Sequence, residues 1–289
     1  MAFIEGLIQY DFLQKALLTS IIVGIVCGVI GCFIILRGMA LMGDAISHAV
    51  LPGVAISYAL GINFFFGAVF TGVVTAIGIG FVSHNSRIKQ DTSIGIMFTA
   101  AFALGVILIT VLESSTDLYH ILFGNVLAVR PSDVWITLII GLIVLISVYV
   151  FYKELLVTSF DPTMAEVYGL PVRLIHYFLM TLLTMVTVAS LQTVGIVLVV
   201  AMLITPAATA YLLTDRLSVM IFLSAAIGAS ASVIGLYFSF TYNLASGATI
   251  VLAATALFFV AFLFSQKQGI LWKKLNDKKN RHTLQKENI

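Results

Sequence analysis

The run ALLTSIIVGIVCGVIGCFIIL, residues Ala16–Leu36, holds no charged residue. At a helical rise of about 1.5 Å per residue, a run of this length crosses the roughly 30 Å hydrocarbon core of a bilayer. Working outward from it, comparable apolar runs recur at Met39–Leu60, Phe64–Ser83, Ser93–Leu112, Asp133–Phe151, Val172–Leu191, Val194–Leu213, Ser218–Phe240 and Ala248–Phe264, broken by short polar connectors. The chain as a whole is 61% hydrophobic and 10% charged, against about 45–50% and about 25% in a soluble domain. Too little polar surface is available to hold such a chain in water. The expected fold is therefore all-α: a polytopic integral membrane protein with eight or nine transmembrane helices. The second run alone carries Asp44, His48 and Pro52, and an eight-span reading without it would move only the N-terminal portion.

Basic residues collect on the cytoplasmic side of short loops. With the N-terminus outside, Arg37, Arg87, Lys89, Lys153, Arg173, Arg216 and the seven bases from Lys267 to Lys286 lie inside, and only Lys15 and Arg130 lie outside. That asymmetry predicts a cytoplasmic C-terminus. Residues 1–266 then form one membrane domain and residues 267–289 a basic cytoplasmic tail, which is read as solvated beside anionic headgroups and not as a nucleic-acid contact. The first run lacks a basic n-region and a small-residue cleavage site, so it is expected to persist as a span. Cys27 and Cys32 have neither metal nor redox spacing and read as small packing residues. Gly24-x-x-x-Gly28 with Gly31 would let another helix approach closely.

Two connectors look organised. In the outer one, Glu113–Asp133, the stretch Leu118–Val129 is apolar but too short to span, which suggests a re-entrant or interfacial segment. In the inner one, Lys153–Pro171, Asp161 can cap a helix, Pro162 suits its first position, and Gly169 with Pro171 ends it. About two turns of cytoplasmic helix are expected there.

An ionisable side chain within a span costs several kcal/mol unless it is paired, hydrated or facing a cavity. Asp44 and His48 stand four residues apart in LRGMALMGDAISHAVLPGVA (Leu36–Ala55), on one helix face about a turn apart. A carboxylate oxygen and an imidazole nitrogen there can point at one divalent cation; the alternative is that the two side chains simply bond each other near a cytoplasmic helix end. Pro52 has no N–H for the His48 carbonyl and predicts a kink beside it, and Ser47 adds a hydroxyl. Ser47, Leu51, Pro52 and Pro206 are the candidate pore or gate residues. His120 with Asp117 in the outer loop could touch an incoming ion, but such an exposed i,i+3 pair more often only supports a helix; His84 and His176, near inner span ends, read as ordinary interfacial residues. No H-E-x-x-H, P-loop or G-x-S-x-G pattern is present, so an active transporter built on this chain takes its energy from another subunit or from an ion gradient.

The stretches Leu36–Gly53 (LRGMALMGDAISHAVLPG), Leu122–Val129 (LFGNVLAV), Phe160–Pro171 (FDPTMAEVYGLP) and Val194–Leu213 (VGIVLVVAMLITPAATAYLL) resemble the membrane permeases of ABC importers for manganese, zinc or iron. The wording of the first is most similar to streptococcal and bacillus-type manganese permeases. The resemblance implies a homodimer of permeases in the bacterial cell membrane, two cytoplasmic ATP-binding subunits, and an extracellular metal-binding lipoprotein. It implies that Asp44 and His48 contact the transported metal, Mn²⁺ before Zn²⁺ or Fe²⁺, with no tightly bound cofactor. It also implies that Asp161–Gly169 is a coupling helix docking on the ATPase through Asp161, Pro162, Ala165, Glu166 and Gly169. The rival reading is a stand-alone proton-coupled metal carrier, which has no need of such a helix. This topology sets Asp44 within two turns of the cytoplasmic end of its helix, whereas a gated transport site is more natural near the midplane; inward folding of Arg37–Gly43 as irregular backbone lining a cavity would set it deeper, and the sequence leaves both depths open.

Overall fold

Backbone amides in hydrocarbon have no water to bond, so an uninterrupted apolar chain satisfies them internally by forming helices. The computed structural model, which describes residues 2–112 and 126–265, is helical throughout with no strand among the described residues. A short helix α1 (Ala2–Gln9) leads into α2 (Asp11–Leu36), and two pieces come next, α3 (Leu41–Ala49) and α4 (Leu51–Leu60). Then come α5 (Phe64–Asn85), α6 (Gln90–Val111), a 3₁₀ turn at Val126–Ala128, α7 (Pro131–Val150), and the short α8 (Tyr152–Phe160) and α9 (Pro162–Val167). The chain closes with α10 (Val172–Val194), α11 (Ile196–Leu213), α12 (Leu217–Tyr242) and α13 (Ser246–Phe264).

Among the described residues, eight helices are long and apolar enough to cross a membrane: α2, α5, α6, α7 and α10 to α13. The second expected run is the broken one. Its halves still climb together beside α6, with His48 against Phe98 and Phe102 and, further up, Leu51 and Ala55 clustered with Ile109. The passage thus runs in two pieces, divided at Val50. Pro52 lies just past the division and supplies its cause, having no N–H to continue the ladder. The boundary between the sixth and seventh expected runs falls at Gly195, whose φ of 84° ends α10. Helix α11, by contrast, runs unbroken through Pro206.

Helix α2 is central, with 72% of its most apolar window buried, whereas α6 and α13 bury only 17% and 22% and face outward. The small residues of α2 explain its position. A Cβ on Gly24 would stand 2.6 Å from the Gly228 carbonyl oxygen of α12, so the two backbones meet there as the glycine spacing predicts. Ser224 Oγ donates to Gly28 O at 2.8 Å and Ser232 Oγ to Ser20 O at 2.9 Å, which fastens α12 along α2. Cys27 and Cys32 are buried, free thiols within this packing. Helix α1 was not expected from the sequence; it places Phe3 against Tyr237 and Phe240 at the C-terminal end of α12.

The turn after α2 sets the depth of α3. Gly38, with φ 67°, donates to Ile35 O, and Met39 donates to Ile34 O, the paired bonds that close a helix around a left-handed residue. Met39 and Met42 are then buried at 1% and 0% exposure, so α3 begins inside the bundle. Of the expected outer connector, residues 126–133 fall among the described residues; His120, Asp117 and the tail 267–289 lie outside them.

Candidate metal site

Helix α3 carries Asp44 in its first turn and His48 in its last. His48 Nε2 stands 3.6 Å from Asp44 Oδ1, too long for a hydrogen bond. Two donors each about 2.1 Å from one cation, at a tetrahedral or wider angle, lie about 3.4 Å or more apart, so the pair as it stands can share an ion. The Asp44 side chain is 45% exposed and that of His48 21%. Among the described residues no group of three or more His, Cys, Asp or Glu forms, so the candidate set is this pair.

The pair stands level with the middle of the neighbouring helices, the deeper of the two positions the sequence leaves open. His48 is flanked by Phe98 and Phe102, which fall in the middle of α6, with ring centroids 5.4 and 5.5 Å away. Ile46 and Val50 converge with Thr184, from the middle of α10, on Gly72, in the middle of α5. The pair therefore sits near mid-length of the crossing helices, because α3 starts inside the bundle.

The other candidates fall elsewhere. Ser47 is fully buried and its Oγ donates to Gly43 O at 2.8 Å, so the structure does not bring it to the pair. Leu51 and Pro52 are buried against α6, and Pro206 is buried in α11. These are packing positions in this conformation. His48 Nδ1 is buried and, among the described residues, without a hydrogen-bond partner, whereas a metal-bound histidine usually fixes its second nitrogen on a carboxylate or carbonyl. Here two phenylalanine rings pack on the imidazole instead. Sequence reasoning missed them; their only signal is an i,i+4 spacing that many apolar helices share.

In the segment between α8 and α10, Asp161 Oδ1 accepts from Met164 N at 2.9 Å and caps α9. Gly169, with φ 77°, donates to Glu166 O, and Leu170 donates to Ala165 O. The cap and the glycine stop are those expected at Asp161–Gly169. Ala165, however, is 0% exposed and packs inward. Asp161, Pro162, Thr163, Met164 and residues Glu166 to Gly169 are exposed, so of the five expected docking positions only Ala165 is corrected: its small side chain seats α9 on its own chain. His84 and His176 lie with ring centroids 6.0 Å apart, between the C-terminal end of α5 and the N-terminal part of α10.

A bundle of crossing helices with a mid-depth carboxylate–imidazole pair and a capped helix between α7 and α10 defines a membrane transport protein. Residues 9–265 match the sequence model of the ABC 3 transport family, and the chain belongs to that family. It is 69% identical over 274 residues to the manganese transport system membrane protein MntC of Listeria innocua, covering 95% of this chain and 98% of that one. It is 55% identical over 273 residues to the manganese import system permease protein ScaB of Streptococcus gordonii, covering 94% and 98%. The solved structure of PsaBC from Streptococcus pneumoniae in complex with Fab matches with a TM-score of 0.85 at 55% identity, over 94% of this chain and 99% of that chain.

Proposed function

We propose that this chain is the permease subunit of an ATP-driven importer that carries Mn²⁺ across the bacterial cell membrane. The observation that carries the reading is the Asp44–His48 pair at mid-depth, with Asp44 half exposed on the outside of a single chain. A carboxylate at that height is not stable against lipid. A second copy facing it would turn that surface into a shared path and double the ligands to two carboxylates and two imidazoles. Oxygen and imidazole donors without thiolate suit Mn²⁺, and MntC and ScaB carry manganese in their names.

In this reading an extracellular metal-binding lipoprotein delivers the ion. The Asp44 charge draws it from water, His48 completes a small ligand set, and the scarcity of ligands allows release inward. ATP hydrolysis belongs to a separate cytoplasmic subunit that docks on the exposed face of α9; this chain is not itself an enzyme. Residues 1–266 are the permease domain, and the basic tail 267–289 lies in the cytoplasm on the positive-inside rule.

Uptake of Mn²⁺, Zn²⁺ and Fe²⁺ by cells lacking manganese import, expressing this chain with and without the ATPase, tests the proposal. ATPase-dependent Mn²⁺ accumulation is expected. Preferential uptake of Zn²⁺ or Fe²⁺ would reassign the metal, and uptake without the ATPase would make the chain a stand-alone carrier.

A further inference from the structure

Arg37 is the last residue before the turn that leads to the metal pair, and its side chain leaves that turn for another element. Its Nη2 donates to Thr158 Oγ1 at 2.8 Å and its Nε to Ser159 Oγ at 3.1 Å, both on α8. The hydroxyl protons are already committed, Thr158 Oγ1 donating to Glu154 O at 2.7 Å and Ser159 Oγ to Leu155 O at 2.6 Å. What the hydroxyls offer Arg37 is therefore their lone pairs, and the planar guanidinium fork takes both at once, which a lysine ammonium on a flexible stem does not do as well. Burial pushes the guanidinium down to about 10, so it is still charged at neutral pH. Among the described residues no carboxylate forms an ion pair with it.

Both ends of this link are braced. On the α8 side, Asp161 N donates to Val157 O and Ala165 N to Asp161 O, and fully buried Leu155 and Ala165 seat α8 and α9. On the other side, Arg37 N donates to Phe33 O, and the bonds from Gly38 N and Met39 N lock the turn from which α3 rises. Asp44 stands seven positions beyond Arg37 in the chain. A displacement of α9 that carried α8 away would strip a desolvated charge of its acceptors, so the two bodies move together.

We propose that Arg37 is the positioning residue that transmits movement of the α8–α9 unit to the metal pair, joining ATP-driven motion to opening of the site. This rests on the importer reading above. The test uses this chain reconstituted with its ATPase in proteoliposomes, reading Mn²⁺ transported per ATP hydrolysed, Mn²⁺ binding and ATPase retention. Arg37→Gln and, separately, Thr158→Val with Ser159→Ala are expected to lower transport per ATP about tenfold, while Mn²⁺ binding and ATPase retention stay at wild-type levels. Arg37→Lys is expected to recover part of the ratio. The double hydroxyl variant leaves Arg37 in place, so it decides the matter if Arg37→Gln fails to assemble. A wild-type transport ratio in the double variant overturns the proposal. So does a loss of metal binding in step with transport, which would mean a merely structural role. Failure of the wild-type arm to move Mn²⁺ with ATP would instead overturn the importer reading.

Discussion

His48 Nε2 and Asp44 Oδ1 face each other across 3.6 Å, one turn apart on a helix that begins inside the bundle. Neither side chain bonds the other directly, and both keep lone pairs for a shared cation. In the proposed site the Asp44 charge would compensate for stripping water from a divalent ion, and the imidazole would give a second donor without thiolate softness. Asp44→Asn keeps the shape and removes that charge. It should lower Mn²⁺ uptake about tenfold or more with normal membrane insertion, and His48→Ala should do the same; wild-type uptake rates in either variant would remove the pair from the path.

The Phe102 ring meets His48 edge-on at 5.5 Å, and Nδ1 beside it has no partner among the described residues. Orientation of the imidazole therefore depends on packing. Phe102→Ala should weaken the apparent affinity for Mn²⁺ about tenfold, by analogy with the loss of an orienting partner. Phe102→Leu, which keeps apolar bulk against the ring, should retain most of it. Concentration-dependent uptake measures both, and equal affinities for the two variants would exclude the orienting role.

The spans were legible because length and apolarity alone define them, and the ionisable pair because charges within such runs are few. The depth of the pair was not. It depends on the closing bonds at Gly38 and on burial of Met39 and Met42, which are tertiary facts. Nor could Ser47, Leu51 and Pro206 be placed on their buried sides: a helix apolar all round carries no amphipathic face to orient it. Ala165 shows the same ambiguity, since a small residue suits an external groove and an internal seat equally. Helix α1 is too short for the span criterion that found the others.

Close approach of α2 and α12 at Gly24 and Gly228 leaves no room for a side chain, a Cβ on Gly24 falling 2.6 Å from the Gly228 carbonyl oxygen. Gly24→Leu should force the helices apart, with overpacking costing about 1–3 kcal/mol. Thermal unfolding in detergent should show a lower midpoint. An unchanged midpoint would contradict the packing.

Orientation is testable because the two native thiols are buried in α2 and give little background labelling. A cysteine at Leu244, 53% exposed in the turn after α12, should react with an impermeant reagent applied to intact cells, and one at Ile88, between α5 and α6, should not. The reverse pattern would invert the topology and move α9 to the wrong side for an ATPase.

Three substitutions in α9 separate its internal seat from its proposed docking face. Ala165 is fully buried, so Ala165→Arg should bring a charge into the packing of α9 on its own chain and lower the thermal midpoint of the isolated permease. Gly169 has φ 77° and open space where a Cβ would lie. Gly169→Val therefore meets no clash, only the left-handed backbone cost of about 1–2 kcal/mol, and should loosen the end of α9 by a smaller amount. Glu166 is exposed, and Glu166→Arg should leave the midpoint unchanged while reversing a charge on the face offered to the ATPase. Weaker retention of the ATPase on purification, with the Asp44–His48 pair still binding Mn²⁺, is the expected result. If Glu166→Arg and a matching change at Met164 both retain the ATPase and import Mn²⁺ at the wild-type rate, the subunit does not dock on this helix.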